Sequence, residues 1–276
     1  MLPTPSTSHV SFDNVYEPAE DSFLLLDALS APSETAFLQH RFPAATASSG
    51  AATPAPLVVE VGTGSGVVLA FVTAHAKTIF GHTNVLTLAT DVNRFACEAA
   101  QRTVQTAIKD VCDSDTQTPT TSAAPASSAA FLSPVLSDLT SAIRPGEIDM
   151  LIFNPPYVPT EELPILPSTH SIDTSAGSNQ GVSSHSIFER DSYLLSLSYA
   201  GGADGMETTD RLLEQIPTIL HPERGVAYLL LCAQNRPEDV KARIRAWGNG
   251  WAAETVATSG KTAGWERLQI VRIWRP

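Results

Sequence analysis

The stretch VVEVGTGSGVV, residues 58–68, carries an apolar run through one acid, Glu60, into Gly62, Gly64 and Gly66, and then into a second apolar run. An apolar segment with a single interruption, closed by glycines and followed by helix-compatible residues, reads as a strand buried on both faces that turns sharply into a helix. Glycine at such a turn lets the backbone bend tightly and lets a ligand approach it, while the following helix N-terminus carries a partial positive charge. The spacing is G-x-G-x-G with an acid two residues before the first glycine, which departs from the dinucleotide fingerprint G-x-G-x-x-G.

Outward from this unit the same alternation continues. PLVVEV (56–61), NVLTLATD (84–91), PVLSDL (134–139), IDMLIFN (148–154) and GVAYLLLCA (225–233) read as strands, and helices are expected at 18–29, 66–77, 93–108, 205–220 and 236–247. Alternating strands and helices predict a doubly wound, mostly parallel α/β sheet with helices on both faces. The last segment, WAAETVATSGKTAGWERLQIVRIWRP (251–276), reads as two strands around a Ser-Gly-Lys turn, a terminal antiparallel hairpin. A chain of 276 residues suits one such domain. We expect that domain to span 15–276 behind a flexible tail at 1–14. Three stretches, at 41–56, 113–130 and 168–186, are rich in Ser, Thr, Ala, Pro and Gly and nearly devoid of large apolar residues, so they read as surface insertions.

Three strands end on or near an acid and one on an amide. Glu60, Asp91, Asp138 and Asn154 would then meet at the carboxyl edge of the sheet, where ligands of open α/β sheets sit. An acid after the second strand is placed to accept both hydroxyls of a ribose, and the next acid could meet an adenine amino group. The amide opens a segment of its own, DMLIFNPPYVP (149–159). Proline has no backbone N–H, so Asn154-Pro155-Pro156 offers carbonyl acceptors and few donors, and it cannot continue a helix or a central strand. It fits a group rich in N–H donors.

Composition narrows the field. The hydrophobic fraction is 43%, charged residues make 17%, and the net charge is −12, which disfavours unaided binding to nucleic acid. No apolar run approaches the roughly 20 residues of a membrane span, and the start of the chain lacks a basic region followed by an apolar core. A soluble protein in the cytoplasm or nucleus is expected. Cys97, Cys112 and Cys232 are odd in number and widely spaced, without Cys-x-x-Cys or His-x-His patterns, so neither a disulfide framework nor a metal site is expected in this chain.

With EVGTGSG as a cofactor loop and NPPY as an amino-methylation motif, the sequence resembles the class I S-adenosylmethionine-dependent methyltransferases, which implies a Rossmann-like fold with a seven-stranded sheet. VYEPAEDSFLLLDAL (15–29) and AGGADGMETTDRLLEQIPTIL (200–220) make it similar to the HemK-type glutamine methyltransferases of peptide release factors, in their short eukaryotic and archaeal branch. The resemblance implies that Ser22, Glu60, Gly62, Thr63, Gly64, Gly66, Asp91, Val92, Asp138, Leu139 and Asn154 contact S-adenosylmethionine, which leaves as S-adenosylhomocysteine. Tyr16, Pro18, Glu20 and Asp21 would wall the methionine and substrate side, although Asp21-Ser22 also reads as a helix cap. Asn154, Pro155, Pro156 and Tyr157 would take the substrate. The resemblance further implies a small zinc-binding activator subunit as heterodimer partner. Its expected seat is an open edge strand near Phe131–Ser137, where Pro134 suits an edge.

The chemistry follows from the acceptors. Asn154 would accept one N–H of a primary amide and the Pro155 carbonyl the other, with Tyr157 packed on the planar group. The reaction that the resemblance implies is methylation of the N5 amide of the glutamine in the Gly-Gly-Gln motif of a eukaryotic class 1 release factor. Two alternatives remain open at the level of sequence. A histone lysine could occupy the same slot, and a nucleic-acid adenine amine could use the same acceptors, though that reading calls for a basic groove that this acidic chain lacks.

Overall fold

Seven strands form one sheet in the order β3-β2-β1-β4-β5-β7-β6. A computed structural model of the chain describes residues 2–44, 54–115, 128–166, 184–260 and 267–276. Along the chain, α1 (Glu20–Ser30) and α2 (Pro32–Arg41) precede β1 (Leu57–Val61), α3 (Val67–Ala74), α4 (Ala76–Phe80), β2 (Leu86–Asp91), α5 (Arg94–Asp115) and β3 (Ala130–Leu136). Then follow β4 (Met150–Phe153), α6 (Ser184–Tyr199), α7 (Glu207–Ile219), β5 (Val226–Cys232), α8 (Pro237–Arg245), β6 (Ala252–Thr258) and β7 (Leu268–Trp274). The strands β3, β2, β1, β4 and β5 are parallel, whereas β7 runs antiparallel to both β5 and β6. The terminal hairpin expected from the sequence is therefore present, with its second strand against β5.

The central strands are buried on both faces, and their period-2 alternation divides the core in two. Val58, Met150, Ile152, Tyr228 and Leu230 face α1 to α5, and Val59, Leu151, Phe153, Leu229 and Leu231 face α7 and α8. Helix α3 is buried over its whole length, so it is apolar on every side rather than amphipathic. Register places the last residues of β1, β2 and β4 side by side: Glu60 pairs with Ala89 and Ile152, and Val61 with Thr90 and Phe153. The groups that follow these residues emerge along one edge.

Several boundaries differ from the sequence expectation for identifiable reasons. The expected helix at 66–77 breaks at His75, whose backbone leaves the helical region, and resumes as α4. The third strand begins and ends earlier than 134–139, so Asp138 lies two residues beyond its end. As an edge strand that pairs only β2 among the described residues, it has exposed positions and tolerates Pro134. Helix α2 went unread because it buries only Glu34 and Leu38 and so lacks periodicity; Pro32 at its first position was the available signal. Helix α6 begins inside the expected 168–186 insertion. The rest of that insertion, most of those at 41–56 and 113–130, and part of the Ser-Gly-Lys turn lie outside the described residues.

Residues 2–14, expected as a tail, run against the domain. Leu2 packs on the core, His75 Nε2 lies 3.0 Å from the Pro3 carbonyl, and Val10 joins Val15, Ala96 and Ala99. Among the described residues no helix is long and apolar enough to cross a membrane.

Candidate active site

A cavity of about 360 Å³ opens at the carboxyl edge of the sheet, between the ends of β1, β2 and β4 and the segment leading into α1. Its floor is the glycine loop. Gly62 and Gly64 adopt φ of +62° and +53°, conformations that side chains disfavour, and a Cβ at Gly62 would sit 3.4 Å from the Phe153 ring. Gly66 does different work. At φ +77° it caps α3, and a Cβ there would lie 2.5 Å from Ala100 Cα, so glycine is needed for α3 to pack on α5.

Four of the five N–H groups from Gly62 to Gly66 are already engaged inside the protein. Gly62 and Thr63 donate to the Thr90 carbonyl at 2.8 and 3.2 Å, Gly66 donates to the Thr63 carbonyl at 2.8 Å, and Gly64 donates to Asp91 Oδ2 at 3.0 Å. From the sequence, a partly positive helix N-terminus is expected at this turn. The structure instead offers acids, which suit a cation and hydroxyl groups better than a pyrophosphate.

Glu60 is 3% exposed; its Oε2 accepts from the Thr63 hydroxyl at 2.6 Å and from the Leu69 N–H at 3.2 Å. Burial pushes its pKa up to about 8 despite these two donors. Asp91 Oδ1 also takes the Asn93 N–H at 2.8 Å, and burial raises its pKa too, against the pull of backbone donors. Asp138 forms an ion pair with Arg211 of α7, and both line the cavity. Beside them Leu139 is buried at φ +49°, a conformation uncommon for leucine.

The opposite wall is the Asn154-Pro155-Pro156-Tyr157 segment. Asn154 Nδ2 donates to Asp21 Oδ2 at 3.1 Å, while Asn154 Oδ1 is buried with no hydrogen-bond partner among the described residues. A buried acceptor left open is costly unless something else fills it. The segment is braced from behind by residues 199–205. Val158 N–H donates to the Tyr199 carbonyl, and Gly201 N–H donates to the Val158 carbonyl at 2.8 Å. A Cβ at Gly201 would lie 2.4 Å from the Pro156 oxygen and one at Gly205 2.0 Å from the Tyr157 oxygen, so only glycine permits this contact. Asn235, buried just after β5, adds a third brace: Nδ2 reaches the carbonyls of Asp204 at 3.1 Å, Gly205 at 3.3 Å and Tyr157 at 3.4 Å.

No protein-family profile matches the chain. Methyltransferase HEMK2 of Homo sapiens is 32% identical over 276 residues, covering 98% of this chain and 95% of that protein. The HEMK2 methyltransferase of Mus musculus is 31% identical over 280 residues, covering 98% and 96%. The eRF1 methyltransferase catalytic subunit mtq2 of Schizosaccharomyces pombe is 30% identical over 279 residues, covering 100% and 96%. The chain is a HemK-type methyltransferase.

In this HemK-type enzyme, most residues singled out in the sequence share the cavity. Tyr16, Ser22, Glu60, Gly62, Thr63 and Gly64 line it, as do Asp91, Val92, Asp138, Leu139 and the four residues from Asn154 to Tyr157. Pro18 and Glu20 do not line it, nor does Gly66. Sequence reasoning missed Arg211, Asn235, the Leu194–Tyr199 end of α6, and Asn93. Only Asn93 carried a readable signal: its Oδ1 accepts the Phe95 N–H at 3.0 Å at the start of α5, as a helix cap would. Among the described residues no cluster of three His, Cys, Asp or Glu side chains could hold a metal.

Proposed function

We propose that this methyltransferase transfers a methyl group from S-adenosylmethionine to the N5 amide of the glutamine in the Gly-Gly-Gln motif of a eukaryotic class 1 release factor. The observation that carries the reading is the buried Asn154 Oδ1, left without a hydrogen-bond partner among the described residues in a side chain that lines the cavity. The name of the fission yeast relative, an eRF1 methyltransferase catalytic subunit, supports the same substrate.

The donor's site fits the residues present. Glu60 lies beside Thr63 under the loop, Asp91 is held at the end of β2 by Gly64 and Asn93, and Asp138 stands with Arg211 on the far side. Acids suit the amino group, the ribose hydroxyls and the adenine amine of such a donor, and the glycine loop leaves room for its body. When bound, the donor supplies an electrophilic methyl on a sulfonium.

The chain's own residues do the rest by positioning. A primary amide nitrogen is a weak nucleophile because its lone pair is delocalised into the carbonyl. Asn154 Oδ1 accepts one of its N–H groups and the Pro155 carbonyl the other, which fixes the nitrogen for in-line attack. As positive charge develops on the nitrogen, its N–H groups become better donors, so these acceptors stabilise the transition state more than the ground state. Tyr157 covers the amide plane and excludes water. No strong base is needed, since the methylated nitrogen releases a proton readily.

Partner choice belongs to the same reading. A small zinc-binding activator subunit would add to the open edge of β3 near Phe131–Ser137, where Leu132 and Leu136 are exposed. The deciding experiment incubates the chain, with and without that activator, with methyl-labelled donor and a release factor whose Gly-Gly-Gln glutamine is intact or replaced. Label is expected on the intact glutamine alone; label on the replaced factor would move the assignment to another acceptor such as lysine. Asn154→Ala is expected to keep donor affinity and to lower transfer by about 100-fold or more, leaving a residual rate that single-turnover measurement can follow.

A further inference from the structure

We propose that Asp21 is a positioning residue of the transfer reaction, acting through Asn154 by fixing which end of its side-chain amide faces the substrate. The inference rests on the amide-methylation reading above, and concerns how its key acceptor is oriented.

The two ends of an asparagine amide have nearly the same shape, so a neighbour has to decide between them. Asp21 is that neighbour. Its carboxylate only accepts, and its Oδ2 lies 3.1 Å from Asn154 Nδ2. The opposite flip would set two acceptors against each other in a buried site and would present an N–H₂ group to the substrate's own N–H₂. With the flip fixed, Asn154 Oδ1 is the end of the amide left without a hydrogen-bond partner among the described residues.

Asp21 is itself held. It is 2% exposed in the first turn of α1. Oδ2 also accepts the Tyr16 hydroxyl at 3.0 Å, and Oδ1 accepts the backbone N–H and the hydroxyl of Ser22. Four donors occupy the roughly four lone-pair directions of a carboxylate. None is left to take a proton from a substrate, so Asp21 is not the base of the reaction. Its negative charge, next to the Asn154 N–H₂, polarises that amide and strengthens Oδ1 as an acceptor.

The test is a double-mutant cycle on the full-length chain co-purified with its activator, read by single-turnover transfer and donor affinity. Asp21→Ala is expected to lower transfer about 100-fold, the scale of a misplaced reacting group, with donor affinity within about threefold. In an Asn154→Ala background the same change is expected to cost less than about twofold, because a residue acting through Asn154 has nothing left to act on. Equal losses in both backgrounds would overturn the proposal, as would an Asp21→Asn enzyme that melts normally and transfers within twofold of wild type. A second readout needs no substrate. The Asn154 side-chain N–H₂ resonances should show one proton protected from exchange in the wild type and none in Asp21→Ala; unchanged protection would also overturn it. A wild-type enzyme that leaves the glutamine unlabelled would instead sink the amide reading, while the resonance measurement would still decide the role of Asp21.

Discussion

The Thr63 hydroxyl sits 2.6 Å from a carboxylate oxygen of Glu60, three residues back across the turn, and among the described residues it is one of two groups donating to this buried acid. Two donors do not offset the loss of water, so Glu60 keeps its proton to about pH 8 in the folded chain, against an ordinary value of 4.5. Because the folded pKa is the higher one, the folded state binds more protons between those values. The contribution of Glu60 to stability is therefore fully present below about pH 4.5 and is lost as pH rises through 8. Asp91, also raised by burial, acts in the same direction. Glu60→Gln keeps the shape and removes the titration. Denaturant unfolding of the free protein should show wild type and variant equal in stability near pH 4.5, with the variant gaining steadily toward pH 8; parallel curves would contradict this.

The same acid links donor binding to protons. A ligand carrying positive charge beside Glu60 favours its ionised form, so binding at pH 7 should release a proton that the free protein holds. Affinity for S-adenosylmethionine should accordingly tighten from pH 6 to about 8 and level off above it. Calorimetric titrations in two buffers of different ionisation heat should differ by the released proton. In Glu60→Gln that difference should fall toward zero, and affinity should drop at every pH.

The glycine-loop side of this cavity was legible in the sequence because its parts are local. Glu60 and its glycines lie within one turn, and Asp91 ends an apolar run, so burial pattern and spacing place them without knowledge of the rest. The groups that make the site work as a unit are remote in sequence and carry no pattern. Asn235 reaches back 78 positions to the Tyr157 carbonyl, and Asp21 meets Asn154 across 133. Arg211 looks in sequence like any exposed residue of an amphipathic helix, and only the fold brings it to Asp138. Helix α6 was lost for the opposite reason, since the serine-rich stretch before it outweighed its own modest apolar pattern.

The bracing of the Asn-Pro-Pro-Tyr segment by glycines yields a prediction that separates binding from transfer. Gly205 has φ +68°, and an added methyl would fall 2.0 Å from the Tyr157 oxygen and 3.0 Å from Asn235 Nδ2. Gly205→Ala should push Tyr157 and its neighbours forward, lowering transfer by roughly 100-fold while donor affinity changes little, because Glu60 and Asp91 are untouched. Gly248→Ala is the control. Its φ is +77°, but nothing lies within 4 Å of the added carbon, so it should cost about 1–2 kcal/mol of backbone strain and leave transfer intact. Equal kinetic defects in the two variants would mean that strain, and not displacement of the segment, is responsible.

The edge of β3 supplies a prediction about assembly. Among the described residues this strand pairs only with β2, and it leaves Leu132 51% and Leu136 49% exposed. An exposed, partly apolar edge is a template for strand addition, and a charged side chain there is a recognised way of preventing it. Leu132→Lys and Leu136→Lys remove little burial from the free chain, so each should change its stability by less than about 0.5 kcal/mol. Both should reduce co-purification with the activator subunit proposed above, and the double variant should abolish it. Donor affinity of whatever free chain remains folded should be unchanged, since neither residue lines the cavity. A double variant that still co-purifies in a one-to-one complex would place the activator on another face of the molecule.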